Sequence, residues 1–374
     1  MAASPPARVG LVLGAGGVLG GAWLTGALHA IATETGWDPG SSEYVVGTSA
    51  GSMIGALLAC GVPPWYMVAH SAGEEFAGLG DANGQPASEA DRSAGARFGL
   101  HPRVALGPGS WRLALSSLAR PYKHSPATLL AGWLPHGPVS TDPLKDTVRR
   151  VCAGRWAPHP NFWAMAVDYE TARRVAFGRA GSPRTELPDA VAASCAIPGF
   201  YRAVEISGRR YVDGGLRSMS NLDVLADERL DLVVCLNPTS SLHADSEPNL
   251  AERLAMQVRA ASGKRLGHER RRVEAAGTDV LLIQPTVHDL DVMGTNLMSR
   301  GRRHDVIETA VQTMTAHLHE SPLGERLSAL PAGLPALVRR PKGSPSDWPA
   351  FEDLARARTD RAARPRARRQ SRAA

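Results

Sequence analysis

The sequence has little cysteine and few aromatic residues, and its cysteines are not grouped. Four cysteines are scattered over 374 residues without a CxxC pair. This spacing argues against a disulfide framework or a zinc site, and it favours buried, reduced thiols in a cytoplasmic protein. Aromatic residues make up 5% of the chain. No acidic cluster has the spacing of a calcium-binding loop, so we predict no metal and no organic cofactor.

The chain also lacks a convincing membrane anchor. The N-terminal stretch from Val9 to Ile31 is uncharged and so resembles a signal peptide, but it contains seven glycines and only Arg8 precedes it. Glycine at that density is unfavourable in a transmembrane or signal helix. We interpret the stretch as a buried strand, a glycine turn and a helix, and we predict no membrane span.

Basic charge is concentrated at the C-terminus. The last 20 residues hold eight arginines and one acid, so this tail alone exceeds the net charge of +6 of the whole chain. The remainder is therefore close to neutral. Such an arm is typically disordered and could touch nucleic acid or an anionic membrane, although a plain solvated tail explains it better. We predict no specific nucleic-acid partner.

Two strand-helix units occupy the first 60 residues. The segments "RVGLVLG" and "EYVVGTS" have the apolar, β-branched character of buried strands, and a helical pattern follows each. Alternation of this kind favours an α/β fold with a mostly parallel sheet covered by helices. Two hairpins, two further buried strands and two long helices follow, the helices over residues 250–276 and 292–319.

Composition divides the chain into one domain and a tail. Residues 1–330 carry all the strand and helix patterns, and residues 331–374 are rich in proline and arginine. We predict that this tail is poorly ordered. Within the domain, residues from about 62 to 140 form a loop-rich insertion with short amphipathic pieces, which we expect to lie over the sheet edge or the mouth of a site.

The pattern Gly47-x-Ser49-x-Gly51 lies between the second strand and its helix. It fits a nucleophile elbow, in which a tight strand-to-helix turn exposes the serine hydroxyl at a helix N-terminus and tolerates only tiny neighbours. The five-residue pattern by itself is also compatible with an ordinary glycine-rich turn.

A second glycine-rich turn, "GAGGVLGG" from Gly14 to Gly21, follows the first strand. Its consecutive backbone N–H groups form an anion-binding nest, which suits an oxyanion hole near Ser49. The alternative is a dinucleotide site. Strict spacing for that site requires glycine at position 19, where the chain has leucine, but a looser form ending at Gly20 fits, with Glu34 as the ribose acid.

The third feature is "YVDGG", in which Asp213 ends a strand before Gly214 and Gly215. A carboxylate shielded from water and within reach of Ser49 could accept its proton. An aspartate that only caps its own turn is the simpler interpretation of this motif taken alone.

Together, in this order, the three motifs resemble the patatin-like phospholipase family. The resemblance lies in "LVLGAGGVLGGAWLTGAL", "VVGTSAGSMIGAL" and "ASCAIPGFYRAVEISGRRYVDGG" with Asn221 after it. The GAGG form with Trp23 resembles a bacterial branch. The resemblance implies a three-layer α/β/α sandwich of modified α/β-hydrolase type, and a Ser–Asp dyad without a histidine that cleaves lipid carboxylic esters.

The resemblance also implies a role for each motif residue. Ser49 would be the nucleophile and Asp213 the general base. The amides of three residues would form the oxyanion hole, namely Gly16, Gly17 and Val18. The remaining motif glycines would shape the turns, namely Gly14, Gly47, Gly51, Gly214 and Gly215.

Three questions stay open. The family commonly has Arg or Lys where this chain has Leu19, which leaves the geometry of the glycine-rich loop undetermined. His288 follows a strand late in the chain and could complete a Ser49–Asp213–His288 triad. A nucleotide-binding or inactive patatin-like protein is the rival to a lipid esterase. The sequence leaves peripheral membrane contact open and does not predict the oligomeric state.

Overall fold

An eight-stranded mixed sheet forms the centre of the molecule. The computed structural model describes residues 8–72, 99–100, 107–119, 126–152, 154–240 and 250–330. The strands are β1 (Val9–Leu13), β2 (Tyr44–Thr48), β3 (Phe162–Asp168), β4 (Arg174–Phe177), β5 (Val204–Ile206), β6 (Arg209–Asp213), β7 (Leu232–Leu236) and β8 (Asp279–Ile283). Successive neighbours follow the order β5-β6-β3-β2-β1-β7-β8, and β4 pairs with β3.

The inner strands of the sheet are parallel. β3, β2, β1, β7 and β8 pair in parallel, whereas β4 and β6 run antiparallel to β3, and β5 runs antiparallel to β6. Every residue of β1, β3 and β7 is buried. Continuous apolar strands of this kind need cover on both faces of the sheet, and helices provide it.

Helices flank the sheet. They are α1 (Gly17–Thr35), α2 (Ala50–Ala59), α3 (Pro64–Ala72), α4 (Trp111–Ala119), α5 (Pro126–Trp133), α6 (Asp142–Val151), α7 (Leu187–Cys195), α8 (Leu250–Ala275), α9 (Val287–Met293), α10 (Arg303–Glu320) and α11 (Pro322–Ser328). Glycines lie at the C-terminal ends of the first two helices. Gly36 and Gly61 both adopt positive φ, at 74° and 86°, which glycine reaches without steric cost.

Two apolar layers cover the two faces of the sheet. On one face, side chains of α1, α2, α7 and α10 pack with β1 and β3 around Trp23, Leu28 and Phe162. On the other face, Leu266 and Val273 of α8 pack against Val12, Val46 and other outward residues of the strands. The predicted three-layer α/β/α sandwich with a mostly parallel sheet is confirmed.

The ends of β2 and β6 meet along one edge of β3. β2 pairs with Phe162–Met165, β6 pairs with Ala166–Asp168, and β4 pairs with Ala164–Val167. Because β4 overlaps both of the other segments, β2 and β6 must both occupy the edge opposite β4. β2 runs parallel and β6 antiparallel to β3, so their C-terminal ends face each other, and the chain leaves these ends at Ser49 and Asp213.

One helix differs from the sequence prediction. The prediction of a single helix from Val292 to about His319 is wrong, because α9 ends at Met293 and α10 begins only at Arg303. Gly294, with φ of 63° and ψ of −161°, stops the first of these helices. The predicted insertion contains α3, α4 and α5 in its described part, while its other residues and the tail from 331 to 374 lie outside the described residues.

None of the described helices is by itself both long enough and apolar enough to cross a bilayer. α2 and α3 satisfy the criteria of length and composition only when they are taken together, and they are bent by 118° with respect to each other.

Close packing between α1 and α10 depends on the absence of a side chain at Gly26. A Cβ there would lie 2.5 Å from the Ile307 carbonyl oxygen and 2.9 Å from the Ala310 Cβ. We expect Gly26→Ala to lower the free energy of unfolding by about 1–3 kcal/mol in urea denaturation. Gly267→Ala is the matched control, because a Cβ at that helical position has no neighbour closer than 3.8 Å. It should stabilise by about 0.5–1 kcal/mol, and equal effects of the two substitutions would contradict this packing argument.

Candidate active site

Ser49 occupies a strained turn between β2 and α2. Its φ of 54° and ψ of −122° are unfavourable for a residue with a side chain, so the surrounding structure must hold it there. A Cβ on Gly51 would overlap the Leu13 carbonyl, and one on Gly47 would overlap the Ser52 backbone. Both glycines of the Gly47-x-Ser49-x-Gly51 pattern are therefore required by backbone contacts. The serine itself is 5% exposed.

Ser194 fastens this turn to the central strand. Its hydroxyl accepts a hydrogen bond from the Ser49 N–H at 3.0 Å and donates one to the Met165 carbonyl at 2.6 Å. Met165 lies at the junction where β2 ends and β6 begins to pair with β3. Ser194 therefore links the backbone of the nucleophile candidate to that junction, a role that the sequence analysis missed because the local pattern "AASCA" indicates only a helix.

The Asp213 side chain is buried beside Ser49. Its carboxylate is 5% exposed, accepts a hydrogen bond from the Gly215 N–H at 2.7 Å and interacts with the Ser49 hydroxyl. Burial raises the pKa of Asp213 to about 6, and the bonds from Ser49 and Gly215 partly offset that rise. Asp213 thus caps its own turn and also contacts the serine, so the two interpretations of the motif are compatible.

Glycines again permit close approach after Asp213. A Cβ on Gly214 would overlap the Met165 carbonyl, and one on Gly215 would lie 3.0 Å from the Asp213 carboxylate. The Asp-Gly-Gly sequence lets the chain turn away from β6 while the carboxylate stays at the end of the strand. This is the close backbone approach that the sequence predicts for the two glycines.

The glycine-rich turn presents backbone amides at the start of α1. Gly16 is the N-cap of this helix, and Gly17 has a positive φ of 61°. Amides in the first turn of a helix have no partner within the helix. Among the residues that the structure describes, none accepts a hydrogen bond from the N–H of Gly16, Gly17 or Val18. A Cβ on Gly14 would lie 2.5 Å from the Asn237 amide oxygen, so this turn also packs tightly against the end of β7.

This turn touches both other motifs. A Cβ on Gly21 would lie 3.5 Å from the Ala50 Cβ, and one on Gly215 would lie 3.6 Å from the Ala15 Cβ. The structure therefore brings the three motifs together at one edge of the sheet. The arrangement consists of a serine hydroxyl at a helix N-terminus, a buried carboxylate in contact with it, and a row of amides next to both.

Two carbonyl groups hold the glycine-rich turn in place. The Ala15 N–H donates to the Met219 carbonyl at 2.7 Å, and the Leu19 N–H donates to the Leu297 carbonyl at 3.0 Å. The Leu19 side chain is fully buried in the core. The resemblance leads us to expect Arg or Lys at this position; the chain instead has a buried apolar side chain and backbone bonds from two distant segments.

A short segment, Ser218–Leu222, which we call the strap, forms hydrogen bonds to both the serine turn and the glycine-rich turn. Its Asn221 donates to the Thr48 hydroxyl at 3.0 Å, next to the serine. The buried Glu269 of α8 holds the strap by accepting bonds from the Ser220 hydroxyl at 2.6 Å and from the Leu222 N–H at 3.1 Å. Asn221 belongs to a motif that the sequence reveals, whereas Glu269, one acid in an arginine-rich helix, has no local signature.

Two residues that the alternatives require lie elsewhere. Glu34 is in the last turn of α1 and pairs with His319 at 2.9 Å, whereas a dinucleotide site needs its acid at the end of the second strand. That end is occupied by the turn at Ser49. His288 is exposed on α9, in the segment after β8, and three pairings separate β8 from β2 in the sheet order. The pKa of Asp213 is set by burial, Ser49 and Gly215, without a histidine.

Groups for a metal ion are not assembled among the described residues. No three His, Cys, Asp or Glu side chains there are placed to hold a metal ion. All four cysteines are free and buried, as predicted, namely Cys60, Cys152, Cys195 and Cys235.

The fold and the site define an α/β sandwich protein with a serine at its strand-to-helix turn. A family model of the patatin-like phospholipases matches residues 11–226, which is more than half of the chain and includes all three motifs. The chain belongs to the patatin-like phospholipase family, a family of lipid acyl hydrolases. A search of curated proteins finds no match. Glu269 and Leu297, which support the site, lie beyond the matched residues.

The buried carboxylate should cost stability once it is ionised. Because the folded pKa of Asp213 is raised from 3.8 to about 6, its ionisation opposes folding, and wild-type stability should fall as pH rises from about 4 through 6. The full effect is about 3 kcal/mol. The side chain introduced by Asp213→Asn cannot ionise, so we expect the variant to be more stable than wild type at pH 8. At pH 4.5 this advantage should be much smaller.

Urea denaturation at the two pH values measures this difference. Asp146→Asn is the control, because Asp146 is exposed and pairs with Arg149 in the same helix. Its effect should be small at both pH values. An Asp213→Asn variant less stable than wild type at pH 8 would contradict the argument.

Proposed function

We propose that this chain is a serine acyl hydrolase that cleaves carboxylic esters of lipids through a Ser49–Asp213 dyad. The single observation that supports the proposal most strongly is that the buried Asp213 carboxylate interacts with the Ser49 hydroxyl. Family membership supports the substrate class at the level of lipid esters. Neither a cofactor nor a metal enters the proposed reaction.

Acylation begins with proton transfer. With a pKa of about 6, Asp213 is mostly ionised at pH 7 and still basic enough to accept a proton from Ser49 as attack proceeds. The Ser49 oxygen forms a bond to the ester carbonyl carbon, and the carbonyl oxygen becomes an oxyanion. The amides of Gly16, Gly17 and Val18, aided by the helix dipole, stabilise this charge.

Collapse of the tetrahedral intermediate breaks the bond to the leaving alcohol. That alcohol takes the proton from Asp213, so the carboxylate is regenerated and the acyl group stays on Ser49. Water then attacks the acyl-enzyme and gives its proton to Asp213. The fatty acid leaves as that proton returns to Ser49.

Methionines beside the glycine turns favour an acyl chain as the group that is bound. The half-buried Met219 sulfur would lie 3.2 Å from a Cβ on Gly215, and the Met298 sulfur 3.0 Å from one on Gly17. Methionine side chains adapt to apolar ligands of different shapes. The predicted cytoplasmic location is supported by the free cysteines and remains part of the proposal.

Covalent labelling tests the nucleophile. A fluorophosphonate probe should label wild type at Ser49, and Ser49→Ala should abolish the labelling and lower kcat/KM on p-nitrophenyl esters by at least about 10³-fold. Asp213→Asn should reduce both strongly while the fold is retained. Ser41→Ala is the matched control, because Ser41 is exposed and its hydroxyl donates to the Asp38 carbonyl, away from the candidate site.

Two outcomes of the labelling experiment would support the rivals instead. Protection of the fold by NADP(H), without any labelling, would favour nucleotide binding. Slow ester hydrolysis that is unchanged in Asp213→Asn would indicate an inactive member of the family. Esters of increasing acyl length, assayed with Ser49→Ala as background, would then define the preferred chain.

The rate of ester cleavage should report the titration of Asp213. Since the base must be ionised, kcat/KM on a water-soluble short-chain ester should fall about tenfold per pH unit below a midpoint near pH 6. His288→Gln should leave the midpoint and the rate unchanged. A profile that stays flat down to pH 4.5, or a limb that disappears in His288→Gln, would refute the dyad.

A further inference from the structure

Exposed apolar side chains are concentrated on one part of the described surface. Five large apolar side chains stand out as exposed there, and four of them lie in α4 and α5, namely Trp111, Leu115, Leu130 and Trp133. Their exposed fractions run from 42% to 62%. We call these four residues the α4–α5 surface. Such clustering marks an interaction site more often than scattered exposure does.

The faces of α4 and α5 opposite to this surface pack against the domain. In α4, Leu113 is buried in a cluster with Val167, Tyr169 and Val212. In α5, the Ala131 carbonyl accepts a hydrogen bond from the Tyr169 hydroxyl at 2.7 Å. Since both helices rest on Tyr169, their outer faces point away from the domain together. The exposure of the α4–α5 surface therefore reflects its orientation in a packed structure.

This surface adjoins the candidate active site. Val212, which packs against α4, directly precedes Asp213. Leu216, in the turn that follows the Asp213 carboxylate, packs against the same cluster. α5 also contacts that turn, Gly214–Leu216. A lipid surface against α4 and α5 would thus lie next to the serine, and an ester would have a short path to it.

The chain segment that carries the surface is basic in sequence. Residues 92–141 contain five arginines and one lysine and no acid, although the chain outside its C-terminal tail is close to neutral. Arg112 is exposed on α4 next to Trp111. Exposed tryptophan and leucine accompanied by arginine are typical of surfaces that enter the interface of an anionic bilayer.

We propose that the α4–α5 surface docks the protein on anionic lipid bilayers, with Trp111, Leu115 and Leu130 entering the interface and Arg112 contacting lipid phosphate. The proposal extends the proposed function by specifying that the enzyme encounters its lipid substrate in a bilayer. Docking requires no reaction at Ser49, so it stands or falls independently of the chemistry.

Vesicle binding by the full chain tests the proposal. In a Ser49→Ala background, which prevents hydrolysis, flotation with phosphatidylcholine–phosphatidylglycerol vesicles should recover the protein, and pure phosphatidylcholine should recover much less. The triple variant W111S/L115S/L130S should lower the partition coefficient at least tenfold. L100S is the matched control, because Leu100 is 80% exposed but lies outside α4 and α5. Its effect should stay below twofold.

The arginine-rich tail is present in all variants, so a difference between the triple variant and L100S cannot come from it. With Ser49 intact, the triple variant should keep wild-type cleavage of a water-soluble ester and lose cleavage of vesicle lipid. Equal vesicle binding by the triple variant and wild type would overturn the proposal. So would sedimentation velocity showing a dimer that the triple substitution dissociates, because the surface would then join two copies.

Discussion

The end-to-end meeting of β2 and β6 on one edge of β3 is the constraint on which the rest of the structure depends. It brings together Ser49 and Asp213, which are 164 positions apart in the chain. The Met165 carbonyl lies at that junction and accepts a hydrogen bond from the Ser194 hydroxyl. The same hydroxyl accepts a hydrogen bond from the Ser49 N–H. This geometry requires glycine at three positions, because a Cβ at Gly47, Gly51 or Gly214 would overlap backbone atoms.

Burial of the Asp213 carboxylate links stability to function. In water the group would be a weak base, and in this site its raised pKa makes it a better acceptor for the serine proton. The same desolvation opposes folding whenever the group is ionised. The surrounding framework must offset that cost, and the strained Ser49 backbone adds to it. Such local conflict between stability and geometry is typical of sites under functional constraint.

Support for the site comes from segments outside the motifs. Glu269 on α8 holds the Ser218–Leu222 strap, and the Met219 carbonyl in that strap holds the glycine-rich turn. The Leu297 carbonyl holds the same turn from the segment before α10. These bonds hold the backbone of the glycine-rich loop on both sides of the buried Leu19 side chain. The carbonyl bonds act on the backbone, so they impose no particular side chain on Met219 or Leu297.

The sequence by itself determined the α/β class, most strands and the three motifs, because apolar periodicity and tight turns are local properties of the chain. It also predicted which glycines the turns require. It misplaced the start of α10, since the stop at Gly294 depends on a backbone conformation, and it missed Ser194 and Glu269. Only the tertiary structure decided the contact of Ser49 with Asp213, the burial that raises the pKa, and the seating of α4 and α5. These depend on strand pairing and desolvation between distant segments, which no local pattern encodes.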